Sequence, residues 1–162
     1  MTATPWTPPT AARRRAILRR AKTIAIVGAS ANPARAANFV LAYLRSSSAD
    51  YTLWPVTPRE DEILGLRTYP SLDDLPGTPD VVDVFRRVDQ LPGVAREAVA
   101  VGAGALWLQL GLHSDEAVAI AHGAGLDVVT NRCLKIEHAR FGGGLHLAGF
   151  DTGVISARRT RG

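Results

Sequence analysis

Thr23-Ile24-Ala25-Ile26-Val27-Gly28-Ala29-Ser30 is the stretch from which the rest of the chain can be read. It is an apolar, β-branched run that stops at a glycine, a small residue and a serine. Behind it, Ala36, Phe39, Val40, Tyr43 and Leu44 recur at three- and four-residue spacing and predict one apolar helix face. A buried strand, a tight turn and an amphipathic helix make the first unit of an open parallel α/β sheet. Such a turn offers backbone N–H groups and a helix N-terminus, an environment suited to phosphate. An anionic, nucleotide-like ligand is therefore expected above Gly28 to Arg35.

The loop narrows the choice of nucleotide. A dinucleotide fingerprint has glycine at its first, third and sixth positions. Here those positions are Gly28, Ser30 and Pro33, so one glycine of three is present. An acid roughly twenty residues on would hold a ribose 2′-hydroxyl. The chain instead has Pro55-Val56-Thr57-Pro58-Arg59, with no acid before Glu60, and it has no Gly-Lys-Ser or Gly-Lys-Thr of a Walker loop. The turn fits phosphate and matches neither the NAD nor the ATP signature.

Working outward, Thr10 is expected to cap a helix over 11–20, with Ile17, Leu18 and Ala21 packed and the arginines facing water. The second strand is read at 51–56, the third at 81–85, the fourth at 105–109 and the fifth at 126–129. Between them lie a connection with a short helix capped by Ser71, a helix capped by Asp89 and a helix capped by Ser114. The last of these has Ala117, Ile120, Ala121 and Ala124 on its apolar face. A short helix follows over 134–140. Leu145-His146-Leu147 and Thr152-Gly153-Val154-Ile155 suggest a terminal hairpin. Alternating strands and helices predict a single doubly wound, mostly parallel five-stranded Rossmann-like α/β sheet. The domain is read as 11–157, between a flexible N-terminus (1–10) and a basic tail (158–162).

Composition excludes some classes. A charged fraction of 21% and a hydrophobic fraction of 46% are ordinary for a globular domain. No apolar run is long enough to span a bilayer, and no secretory signal is read, so no membrane association is expected. A single cysteine excludes an internal disulfide and points to the cytoplasm. The four histidines show no metal-ligand spacing, and they read as structural rather than catalytic. Net charge is +4, much of it in Arg13-Arg14-Arg15, Arg19-Arg20, Lys22 and the C-terminal arginines. That favours anionic ligands generally, but no nucleic-acid motif accompanies it. Asp83, inside an apolar strand, is expected to find a capping or arginine partner.

Ligands of doubly wound sheets bind outside the carboxyl ends of the strands. Those ends read Gly28-Ala29-Ser30, Pro55-Val56-Thr57-Pro58, Phe85-Arg86, Gln109-Leu110-Gly111 and Thr130-Asn131-Arg132-Cys133. With Pro33, Arg35, Leu64-Gly65, Tyr69-Pro70-Ser71-Leu72, Val82-Asp83-Val84 and Glu137-His138, they resemble the small stand-alone CoA-binding domain proteins. These are Rossmann-like relatives of the CoA-binding part of the succinyl-CoA synthetase α subunit. The resemblance covers about 21–141. Thr57 stands where the family commonly has Asn, and Ala37 where it often has Ser.

The resemblance implies non-covalent binding of coenzyme A or acyl-CoA without catalysis. Gly28, Ala29, Ser30 and Arg35 would contact phosphate, and Pro55, Val56, Thr57 and Pro58 would line the adenine side. Phe85 and Arg86 would meet pantetheine or phosphate, with Gln109 at a neighbouring strand end. Asn131 and Cys133 would lie near the arm. The alternatives are a small NAD(P)-dependent oxidoreductase, although no Tyr-Lys pair lies at a strand end, and a ligand-sensing interaction protein.

Overall fold

The computed structural model describes residues 4–47 and 49–142; the expected terminal hairpin and basic tail lie outside them. In chain order the elements are α1 (Ala11–Arg20), β1 (Thr23–Val27), α2 (Ala36–Ser46), β2 (Thr52–Val56), β3 (Glu62–Ile63), β4 (Leu66–Arg67), β5 (Val81–Val84), α3 (Leu91–Ala100), β6 (Ala105–Leu108), α4 (Asp115–Gly123), β7 (Asp127–Val129) and α5 (Leu134–Gly142). Five strands form one parallel sheet in the order β2-β1-β5-β6-β7. The doubly wound α/β reading is correct. β3 and β4 add a small antiparallel hairpin that the sequence reading did not contain.

Strand residues alternate between two cores, because successive side chains point to opposite faces. Ala25, Val27, Val82, Val84, Leu106, Leu108 and Val128 pack with α3 and α4. Ile24, Ile26, Val81, Trp107 and Val129 pack with α1, α2 and α5. Both faces are covered, which explains why the strands read as continuous apolar runs.

Several local expectations hold. The Thr10 hydroxyl accepts from the Arg13 N–H, and the Ser114 hydroxyl from the Ala117 N–H, each satisfying an open N-terminal donor. Ile17, Leu18 and Ala21 are buried. Others need correction. Phe39 is 58% exposed, and Ala36 is exposed too; the face of α2 that packs carries Ala37, Val40, Leu41 and Leu44. Asp89 caps no helix. It sits in a 3₁₀ turn over Val88–Gln90 and pairs with Arg87. Ser71 precedes its short 3₁₀ segment without a capping bond. Ala124 is exposed, and Val118 takes its place in the α4 core face.

The arginines of α1 do not all face water. Arg14 is buried, its Nε 2.6 Å from Glu137 Oε1 on α5, and its Nη1 donates to the Pro9 carbonyl at 2.8 Å. Ahead of α1, the Trp6 indole N–H donates to the Val128 carbonyl on the sheet edge.

Asp83 also departs from expectation. It is fully buried on the α1/α2/α5 face, in register with Ile26 and Trp107, and neither carboxylate oxygen has a hydrogen-bond partner among the described residues. Burial holds its pKa well above the ordinary carboxylate range. A carboxyl that ionises less readily folded than unfolded contributes stability below its unfolded pKa, and that contribution is lost as pH rises toward the folded value. Asp83→Asn cannot ionise. It should raise the thermal midpoint at pH 8 by about 2–4 °C per kcal/mol recovered, with the gain shrinking toward pH 4. Thermal melts of both proteins across that range check this; a gain independent of pH would contradict it.

Candidate functional site

The strand order places the site. From β1 the chain runs to β2 on one side, and it returns to β5 on the other. The crevice between β1 and β5 is thus the topological switch point, where the loops leave in opposite directions and make room for a ligand.

Gly28 occupies that point. Its φ is +86°, a left-handed conformation, and a Cβ placed there would lie 3.1 Å from the Phe85 carbonyl oxygen and 3.3 Å from Arg86 Cδ. The β1 turn and the β5 exit are therefore in contact. The Gly28 and Ala29 N–H groups both donate to the Val56 carbonyl, at 3.1 and 3.2 Å. The β2 end thus engages the N–H groups of these two residues, which the sequence expectation leaves open in the turn. Among the described residues no hydrogen bond uses the N–H groups of Ser30, Ala31, Ala36 or Ala37, so the open donors begin at Ser30 and continue into the first turn of α2.

The loop between them is held by its own polar side chains. Ser30 Oγ accepts from the Asn32 N–H at 3.0 Å, and Asn32 Oδ1 accepts from the Ala34 N–H at 2.9 Å. Buried Asn38 donates through Nδ2 to the Ser30 carbonyl at 3.0 Å. Sequence reasoning missed Asn38; its signal was a lone amide inside an apolar helix pattern.

Arg35 is the N-cap residue of α2. Its side chain is exposed, makes no capping bond and joins no ion pair among the described residues, and the first turn of α2 contains no acid. A cation at a helix N-terminus opposes the helix dipole, so this end of α2 carries uncompensated positive potential. Arg86 is half-buried against Gly28 at the β5 exit, with Nε donating to Gln90 Oε1 at 2.9 Å. A cavity of about 510 Å³ opens next to Arg86, toward α3 and α4.

The remaining candidates stand at the same end of the sheet with different degrees of access. Pro55, Val56 and Thr57 are buried, and Pro58 is exposed. Thr57 Oγ1 accepts from the Arg59 N–H, and Pro55, in an edge strand, accepts from the Tyr69 N–H through its carbonyl. Phe85 is half-buried. Gln109 is buried, and its Oε1 accepts from the Leu134 N–H at 2.9 Å, which caps α5. Asn131 has φ +57°, and its Oδ1 accepts from the Gly111 N–H at 2.7 Å, clipping the β6 and β7 exits together. Cys133 is half-buried immediately before α5. The structure thus brings Gly28, Ala29, Val56, Phe85 and Arg86 into one cluster. Gln109 and Asn131 are already engaged in shaping the loops. Pro58 lies four strand spacings from the β7 exit, about 19 Å across the sheet, so only an elongated ligand would touch both.

Among the described residues no group of His, Cys, Asp and Glu could hold a metal ion, and no helix is long and apolar enough to cross a membrane.

The sequence matches the CoA binding domain family over residues 22–139. It is 40% identical over 131 residues to Uncharacterized protein YneT of Bacillus subtilis (strain 168), covering 81% of this chain and 96% of that one. Among solved structures it is similar to a hypothetical protein from Pyrococcus horikoshii OT3, with TM-score 0.79 and 38% identity over 86% of this chain and 99% of that one. It is also similar to part of the dinucleotide-forming acetyl-coenzyme A synthetase 1 of Ca. Korarchaeum cryptofilum. There the TM-score is 0.62 and identity 28%, over 68% of this chain and 26% of that one.

Gly28→Ala tests the switch-point geometry. The added Cβ meets backbone rather than a side chain that can move aside, in a conformation L residues rarely adopt. The variant should lose about 1–3 kcal/mol of stability, read as a lower urea midpoint with unchanged slope. An unaltered midpoint would show that the turn tolerates a side chain.

Proposed function

The chain belongs to the CoA-binding domain family, and on that premise we propose that it binds coenzyme A or an acyl-CoA non-covalently at the carboxyl ends of β1, β2 and β5. The observation that carries this reading is the uncompensated positive end of α2. Open N–H groups from Ser30 onward and the free guanidinium of Arg35 converge there. A pyrophosphate would satisfy those donors and reverse an unfavourable charge–dipole contact.

The other parts of the ligand follow from its chemistry. Arg86, across the crevice at the β5 exit, is the second phosphate partner. Exposed Pro58 and Arg59 give the adenine side an apolar surface and a cation. The pantetheine arm runs along the strand ends past Phe85 toward Asn131 and Cys133, a path whose span suits an elongated ligand. No acid stands within Pro55 to Arg59 at the β2 exit, where a 2′-hydroxyl of NAD would look for one, and Arg59 offers a cation for the 3′-phosphate of CoA. In this reading the protein is a binding module of the cytoplasm.

Calorimetric titration should give CoA binding in the micromolar range or tighter, on the order of 8 kcal/mol. Dephospho-CoA should bind more weakly. Charge-assisted hydrogen bonds contribute roughly 1.5–3 kcal/mol, so Arg35→Ala or Arg86→Ala should weaken CoA about tenfold or more, with little change in the apo thermal midpoint. Tight NADH binding without any response to CoA would overturn the reading, and unchanged CoA affinity in both variants would move the site elsewhere.

A further inference from the structure

A second cavity, among the described residues, lies at the other end of the sheet. It has a volume of about 770 Å³ and opens beside the amino ends of β1 and β2, between α1 and α5. That size is typical of small-molecule sites. The phosphate-binding reading of the carboxyl ends makes no use of it.

Its lining divides by chemistry. Leu18, Ala21, Tyr51 and Phe141 form an apolar and aromatic wall. Arg15, Arg19 and Lys22 stand on the rim; all three are exposed, and none joins an ion pair among the described residues. Asp50 is the one acid in the lining. The Tyr51 hydroxyl and Nδ1 of His138, both in the wall, are already engaged. The Tyr51 hydroxyl donates to the Leu18 carbonyl at 2.7 Å, and its pKa is pushed up to about 12, chiefly by burial. His138 Nδ1 lies 2.7 Å from the Tyr43 hydroxyl, and burial lowers its pKa, which favours the neutral ring at pH 7. The interior therefore offers little to a polar ligand, while the mouth carries two more positive charges than negative.

An apolar wall behind a cationic rim matches a molecule with a hydrophobic body and one anionic end. We propose that this cavity is a second ligand site that takes an apolar organic carboxylate, its body against Leu18, Tyr51 and Phe141 and its carboxylate among Arg15, Arg19 and Lys22. A phosphate-rich ligand fits it less well. The rim cations stand on exposed, flexible stems, and no helix N-terminus points into the cavity.

Octanoate is a suitable probe, with octanol as its uncharged counterpart, titrated into the full chain and followed by two-dimensional NMR. Octanoate should shift the resonances of Leu18, Tyr51, His138 and Phe141 with a Kd of about 1 mM or tighter. Octanol should bind more weakly. Arg15→Ala/Arg19→Ala, in which both replaced side chains are exposed and removable without disturbing the core, should weaken octanoate by about fivefold or more. The same spectra separate this site from the nucleotide site. Shifts confined to Gly28, Ser30 and Phe85 would place octanoate there and overturn the proposal. So would the absence of any shift, equal binding of octanol, or an affinity unchanged in the double variant.

Discussion

Everything at the carboxyl end of the sheet depends on the close approach of Gly28 to the β5 exit. The turn after β1 has room only for a residue without a side chain, and the Phe85 carbonyl fills the space where one would stand. That contact brings the β1 and β5 ends together at the switch point. The paired donation of Gly28 and Ala29 to the Val56 carbonyl then ties in the β2 end. Three strand exits are thereby fixed by backbone alone. Side chains act further out: Asn38 steadies the loop, and Arg35 and Arg86 supply charge at its margins. A backbone platform surrounded by adjustable cations suits a ligand whose phosphates need donors in set positions and whose remainder is long and flexible.

The sheet was legible because a strand buried on both faces has to be apolar throughout. All five parallel strands appear as largely apolar runs, and β2, β5, β6 and β7 are each one residue shorter at one end than expected. The face of α2 was harder to read. Ala36, Phe39, Val40, Tyr43 and Leu44 satisfy helical spacing as well as Ala37, Val40, Leu41 and Leu44 do, and the choice is made by Asn38 reaching the Ser30 carbonyl and Tyr43 reaching His138. The β3–β4 hairpin turns on Leu64 and Gly65, both at positive φ. Leu-Gly lacks the Asn or Asp that usually announces such a turn.

The site itself was legible as a set of strand ends, and less so as a set of roles. Gln109 and Asn131 look like ligand-facing polar groups in a list of strand exits. In the fold, each satisfies a backbone N–H that the change from strand to helix or loop leaves open. Asp83 shows the opposite failure. A carboxyl in an apolar strand is expected to have a partner, because leaving it ionised and unpaired is costly, and protonation is the route by which it stays buried without one.

Arg14 lies three, four and seven residues before Ile17, Leu18 and Ala21, so helical spacing marks it as facing the core, but its partner, 123 positions away, has no signal in the sequence. The pair it forms with Glu137 ties α5 to α1. Two buried charges at 2.6 Å recover their lost hydration only if the geometry is kept. Arg14 keeps it through the Pro9 carbonyl, and Glu137 has Arg132 and Arg140 within 4 Å as further cations. A hydrophobic contact would tolerate sliding along the helix axis; an ion pair of this kind does not. α5 starts at the carboxyl end of the sheet, where Gln109 caps Leu134, and it carries Phe141, in its last turn, to the wall of the opposite cavity. The buried pair near its middle acts with the Gln109 cap and the packing of Leu134, so the two proposed ligand regions are framed by a single helix held to the rest of the fold by charge as well as by packing.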